Sequence, residues 1–208
     1  MGSAQQYIDI FNQCRDMICK HSSALMNSKR DEAFEAFQRV GFPTKKVERY
    51  KYTDIEALFA PNYGLNLNRL DIPVNPYDAF KCDVPNMSTS LYFVVNDAFY
   101  KKALPKAELP EGVFVGSLAD FSTNAAFGKV SAMYCQLADD KDAITSLNTM
   151  LAQDALLIYF PKGVKVDRTL QVINILRSDV DLMVNRRVLI YLEDRADARI
   201  LFCDHAAD

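Results

Sequence analysis

The chain has 208 residues, half of them hydrophobic and a quarter charged, which suffices for one large core or two modest ones and excludes global disorder. Its 24 basic and 27 acidic residues leave a net charge of −3, so charge makes no case for nucleic acid or for an anionic membrane surface. No apolar run approaches a membrane span, and Met1-Gly2-Ser3-Ala4-Gln5-Gln6 lacks the basic-then-apolar order of a signal peptide.

Tyr7, Phe11, Cys14, Ile18, His21 and Leu25 recur at steps of three and four, with Ile10 and Met17 broadening the stripe, and predict one amphipathic helix. A second helix is expected over 29–40 with Phe34 and Phe37 on one face, closed by Gly41 and stopped by Pro43. Thr53-Asp54-Ile55-Glu56 reads as a capping box for a short helix through Phe59, which Pro61 ends. Pro61, Pro73, Pro76 and Pro85 punctuate an irregular connection. Residues 91–95 predict a strand, Asn96-Asp97 a turn into 98–100, and 112–118 a further strand. Helices are expected over 120–127 and 143–151. Asp139, Asp140 and Asp142 precede the second, where negative charge favours a helix start.

Beyond Gln153 the pattern becomes strand, turn, strand, with runs at 156–160, 164–166, 170–176, 182–184, 188–192 and 196–203. The first is apolar throughout, as a strand buried on both faces requires, and Pro161-Lys162-Gly163 ends it. In the last, Ala196, Ala198, Ile200 and Phe202 share one face and Asp197 and Arg199 the other. Strands this short suit a coiled parallel β-helix or a small β-sandwich, and no period decides between them.

Two stretches carry a family resemblance. Gly41-Phe42-Pro43-Thr44-Lys45-Lys46, then Glu48, then Tyr50-Lys51-Tyr52-Thr53-Asp54 resembles the N-terminal signature of SufD-type Fe–S cluster assembly proteins, where Gly-x-Pro-Thr-Lys/Arg precedes Glu-x-Trp-Lys-Tyr-Thr. Leu147-Asn148-Thr149, Ala152-Gln153-Asp154 and Leu157-Ile158-Tyr159-Phe160-Pro161-Lys162-Gly163 resemble the stretch that leads this family into its right-handed β-helix. Tyr50 stands where the family usually has Trp, and the chain contains no Trp. The resemblance implies an α+β fold: an N-terminal helical domain with irregular connection over 1–85, a mixed α/β junction over 86–152, and the first rungs of a right-handed parallel β-helix, truncated, over 153–208. It further implies a non-enzymatic cytoplasmic scaffold subunit working through contacts with SufB-like and SufC-like proteins. Fe–S cluster and ATP are implied for that complex and not for this chain. The resemblance covers the front part of such a protein, so no functional residue of the family transfers. The rival readings are a cytosolic carbohydrate-acting β-helix enzyme and a self-associating structural module.

No Gly-x-x-x-x-Gly-Lys or Gly-x-Gly-x-x-Gly loop supports nucleotide binding, and no catalytic or cofactor-binding residue is assigned. The five cysteines, Cys14, Cys19, Cys82, Cys135 and Cys203, are odd in number, scattered and without Cys-x-x-Cys, which argues against a disulfide framework and a sequence-local zinc site and favours a reducing compartment. Cys203 and His205, two apart at a strand end, are the candidate metal ligands. Two donors fall short of the four a closed site needs, so an outward-facing pair is the reading adopted. The resemblance also touches Asp204-His205, with no role assigned. Cys14, Cys19 and His21 fit a packed first helix. Asp179 and Asp181 could serve a carbohydrate enzyme but fit a polar turn better. Tyr50, Lys51 and Tyr52 could stack nucleic acid, against which the acidic balance counts. Instead Phe42, Tyr50 and Tyr52 are expected to be buried, tying the helical domain to the remainder of the chain. Ile200 and Phe202 are expected to lie in an uncovered last rung and to promote end-to-end self-association.

Overall fold

Helices dominate the first part of the chain and strands the rest, in a mixed α+β arrangement. The structure, a computed structural model, describes residues 2–71, 73–80, 89–137, 142–177, 179 and 181–207; Cys82, Pro85, Asp139 and Asp140 lie outside the described residues. Two units emerge, each assembled from non-consecutive segments. The first comprises Met1–Leu70, Ala126–Gln153 and Asp181–Asn185; the second comprises Asp71–Ala125, Asp154–Val180 and Arg186–Asp208. No helix among the described residues is long and apolar enough to cross a membrane.

In the first unit α1 (Ser3–Lys20) buries Tyr7, Phe11 and Ile18, which its pitch places on one face. The predicted stripe runs too far. Ser23 accepts the Met26 N–H and starts a separate helix, α2 (Ala24–Asn27), so His21 is the C-cap of α1 and Met26, not Leu25, is buried. The third helix, α3 (Arg30–Val40), ends at Gly41, whose φ of +64° and ψ of −177° suit glycine alone. A 3-10 turn, Glu48–Tyr50, leads to α4 (Ile55–Phe59). The capping box expected from Thr53 and Glu56 does not form. Asp54 caps α4 by accepting the Ala57 N–H at 3.1 Å, while Glu56 accepts the Ser3 N–H at the start of α1. Phe42 packs edge-on against Tyr7 and Phe37 and stacks on Phe59, an aromatic cluster at the heart of this core.

One charge lies inside this core. Arg30 is fully buried; its guanidinium donates to Met150 O (2.9 Å), Thr149 O (3.3 Å), Asn27 Oδ1 (2.8 Å) and Ser22 Oγ (2.6 Å). Thr149 and Met150 belong to the last turn of a later helix, Ala143–Leu151, where carbonyls have no partner within the helix and a cation is favoured.

The second unit begins with α5 (Pro76–Ala79), followed by β1 (Thr89–Val95), the short β2 (Ala98–Phe99) and β3 (Phe114–Ser117). The helix expected over 120–127 is instead a 3-10 segment, Leu118–Thr123; the chain then supplies α6 (Phe127–Met133) and α7 (Ala143–Leu151) to the first unit. Four strands close the second unit: β4 (Leu156–Phe160), β5 (Lys165–Arg177), β6 (Val188–Leu192) and β7 (Asp197–Ala207). They alternate between two sheets, ordered β2-β1-β5-β7 and β3-β4-β6. The β4–β6, β1–β5 and β5–β7 pairs are parallel.

Every residue of β4 is buried, as its unbroken apolar run predicts. Leu156, Ile158 and Phe160 of β4 share a core with Tyr92, Val94, Leu170 and Val172 of the other sheet. On the opposite face of that sheet Phe93, Ile173 and Ile175 pack with Val74 and Phe80. The runs predicted at 164–166 and 170–176 are one strand, because Asp167, Arg168 and Thr169 bulge opposite Arg199 alone. The run at 182–184 is no strand: Leu182 makes a single parallel bridge to Gly64 in the first unit. At the β1–β2 turn Asn96 takes a φ of +54°. Its amide exchanges hydrogen bonds with Arg177, accepting its N–H (2.9 Å) and donating to its C=O (3.1 Å), which holds the turn to the end of β5.

Candidate functional site

The loop after α3 carries the first signature stretch and builds a concave site within the first unit. Gly41 turns the chain, Phe42 anchors it in the aromatic cluster, and Thr44 O accepts the Val47 N–H at 2.9 Å. Lys45 pairs with Asp54 at 2.9 Å, which holds that carboxyl below its usual range, with the Ala57 N–H adding to the effect. Lys51 pairs with Glu48. Arg49 and Tyr50 then reach Asp142, the N-cap of α7, through Nη1 (2.9 Å) and the hydroxyl (2.5 Å), both onto Oδ2. The other carboxylate oxygen, Oδ1, accepts the N–H groups of Ile144 and Thr145. One buried carboxylate thus caps a helix and clamps a loop more than ninety residues away in sequence. Burial first, and then the bond to Asp142, pushes the Tyr50 hydroxyl up to about 12.

The second stretch begins within α7, the helix that Asp142 caps. It supplies the Thr149 carbonyl that Arg30 binds, and Gln153 Nε2 donates to Leu67 O at 2.9 Å. Tyr52 departs from expectation. The residue is 91% exposed, with the Lys51 ammonium 5.0 Å from its ring centroid, while Phe42 is buried and Tyr50 half-buried. The reason is local: the 3-10 turn directs Tyr50 toward Asp142, and two residues later the chain is already leaving the core.

The candidate ligand pair does not face outward. Cys203 packs with Phe93, Ile173 and Ile175, and its Sγ accepts from Gln171 Nε2 at 3.4 Å. His205 sits edge-on to Phe80 at 5.8 Å, both are half-buried, and its Nε2 has no hydrogen-bond partner among the described residues. Among the described residues no group of three or more His, Cys, Asp or Glu side chains is placed to hold a metal ion. Of the acidic residues near this strand end, Asp179 pairs with Arg177 (3.2 Å) and Asp204 with Arg186 (3.1 Å), while the Asp181 backbone C=O accepts the Gly64 N–H. Cys14 is half-buried against the first core; Cys19 is also half-buried and lies beside the Arg30 guanidinium.

Sequence reasoning missed Arg30 and the Arg49–Asp142 pair. An arginine next to Asp31 and Glu32 at a helix start reads as surface charge, and a bond across 93 positions leaves no local pattern.

A search of the curated proteins returns no match. A family model described as "SufBD protein N-terminal region" matches residues 1–172, which takes in both signature stretches, the helices of the first unit and the strands through the middle of β5. With most of the chain covered by this match, the chain belongs to the SufB/SufD family of Fe–S cluster assembly proteins, as that family's N-terminal region.

Proposed function

We propose that this chain is a non-enzymatic, cytoplasmic scaffold subunit for Fe–S cluster assembly, acting through protein contacts with SufB-like and SufC-like partners. The observation that carries the reading is the family match over residues 1–172. In this reading the chain binds no cofactor of its own, and the cluster and ATP are cargo and substrate of the complex. Cys14, Cys19, Cys135 and Cys203 are half-buried and outside any disulfide, which suits a reducing cytoplasm. The second unit is read as the opening rungs of a right-handed parallel β-helix. Support comes from the alternation of β4, β5, β6 and β7 between two sheets, with each of the last two strands parallel to the one two before it. A left-handed crossover from β4 to β6 in a crystal structure would end the coil reading.

The experiment for the function is co-expression of the tagged chain with SufB-like and SufC-like proteins, followed by capture and gel filtration. Co-elution in a defined stoichiometry is expected. Separate elution of all three at micromolar concentration would remove the scaffold role.

A further inference from the structure

The groove beside the signature loop, about 410 Å³, falls within the size range of ligand sites. Phe42 and Pro43 contribute to its apolar lining, and Val40 and Val47, each 46% exposed, flank it. Single exposed apolar residues need no explanation, but two beside a concavity mark an unfilled apolar contact. Arg49 stands on the rim with its side chain 74% exposed. A guanidinium has five N–H donors, and Arg49 gives one to Asp142 and lies 5.9 Å from the Tyr50 ring centroid, which with its exposure leaves donors open to solvent. Asp142, the acidic residue in the lining, is covered: its side chain is 8% exposed and both oxygens accept hydrogen bonds. It therefore presents little repulsion to an incoming anion. The surrounding segment, residues 39–51, carries Arg39, Lys45, Lys46, Arg49 and Lys51 against Glu48; with Asp54 and Asp142, the partners of Lys45 and Arg49, counted as well, the site keeps an excess of two positive charges on a chain of −3.

We propose that this groove docks a short acidic segment of a partner protein, seating one aliphatic or aromatic side chain over Val40, Phe42 and Val47 while a neighbouring carboxylate takes the outward N–H groups of Arg49 in a bidentate contact. The apolar lining favours a peptide over a nucleic acid, whose phosphates would have no use for it. The proposal goes beyond the assembly role and does not rest on it, since the groove belongs to the first unit alone.

The test is an NMR titration of the whole ¹⁵N-labelled chain with an acetylated, amidated peptide, Asp-Glu-Leu-Phe-Asp-Glu. Saturable shifts at the Val47, Arg49 and Ala143 amides are expected, with a Kd below about 1 mM. Arg49→Gln and Val47→Asp should each weaken binding about tenfold or more, as hot-spot contacts do. Tyr52→Ala, outside the groove, should leave it unchanged. Val40→Asp replaces Val47→Asp if the latter lowers the denaturation midpoint. Absence of saturable shifts overturns the proposal. So does equal binding of the peptide with Leu-Phe replaced by Ala-Ala, which would reduce the effect to charge. Equal perturbation of the same amides by a thymidine dodecamer would assign the surface to nucleic acid instead.

Discussion

Arg30 shows how one side chain can decide a local arrangement. Fully buried, it has its charged form disfavoured by desolvation, which lowers its pKa, yet an arginine stays protonated and must be satisfied by neutral oxygens. Removing it leaves the Thr149 and Met150 carbonyls, and Asn27 Oδ1, without that donor. Arg30→Ala should cost roughly 3 kcal/mol or more, since bonds to a charged group and buried groups left without a donor both count; urea midpoints measure it. Arg30→Lys, with no planar fork, should recover only part of the loss. Tyr50 tests the loop through pH. Its folded value near 12 lies above the ordinary 10.0, so its contribution is full below pH 10 and is lost as pH rises through about 12. Over that window Tyr50→Phe should lose stability less steeply than the unmodified chain. The slope will not vanish, because Tyr7, Tyr92 and Tyr159 are also raised to about 12.

Helix ends carry the next level of organisation. Asp142 both caps α7 and holds Arg49 and Tyr50, and two substitutions separate these roles. Asp142→Asn keeps a good cap and should cost less than Asp142→Ala, for which about 1–2 kcal/mol is expected from the cap alone. Equal losses in the two variants would place the effect in the loop clamp and not in the cap. Glycines make a second comparison. An added Cβ meets nothing within 4 Å at either Gly41 or Gly128, so packing predicts no difference. Backbone conformation predicts opposite signs. Gly41→Ala should cost about 1–3 kcal/mol because its dihedrals exclude side chains, whereas Gly128→Ala, inside α6, should gain about 0.5–1 kcal/mol. Thermal melts of the two variants check both signs.

For the whole molecule, the decisive feature is how the strands leave their outer edges. The last strands of the two sheets, β6 and β7, expose Val188, Ile190, Leu192 and Phe202, each 39–46% accessible. Val188, Ile190 and Leu192 are in register with Leu156, Ile158 and Phe160 of the buried strand β4, so their side chains lie on the same sheet face as that core. An apolar edge of this kind invites pairing. The chain in solution should therefore associate at micromolar concentration, and Ile190→Lys should reduce that association in light scattering. A monomer for both forms would show that this edge is not adhesive.

Local chemistry made much of this protein legible in its sequence. The period of Tyr7, Phe11 and Ile18 marks α1, Gly41 marks the end of α3, Asn96-Asp97 marks a turn, and the unbroken run of β4 marks a strand covered on both faces. The signature loop and the lead into β4 identify the family, because residue type and order alone carry that information. Tertiary structure decided the rest. Ser23 broke a stripe that periodicity would have carried through His21, Asp54 and not Thr53 took the cap of α4, and three residues bulged out to merge two short strands into β5. Above all, the burial of Arg30 and the clamp between Tyr50 and Asp142 depend on segments distant in sequence meeting in space. A side chain's surroundings are set by those meetings, and no local pattern records them.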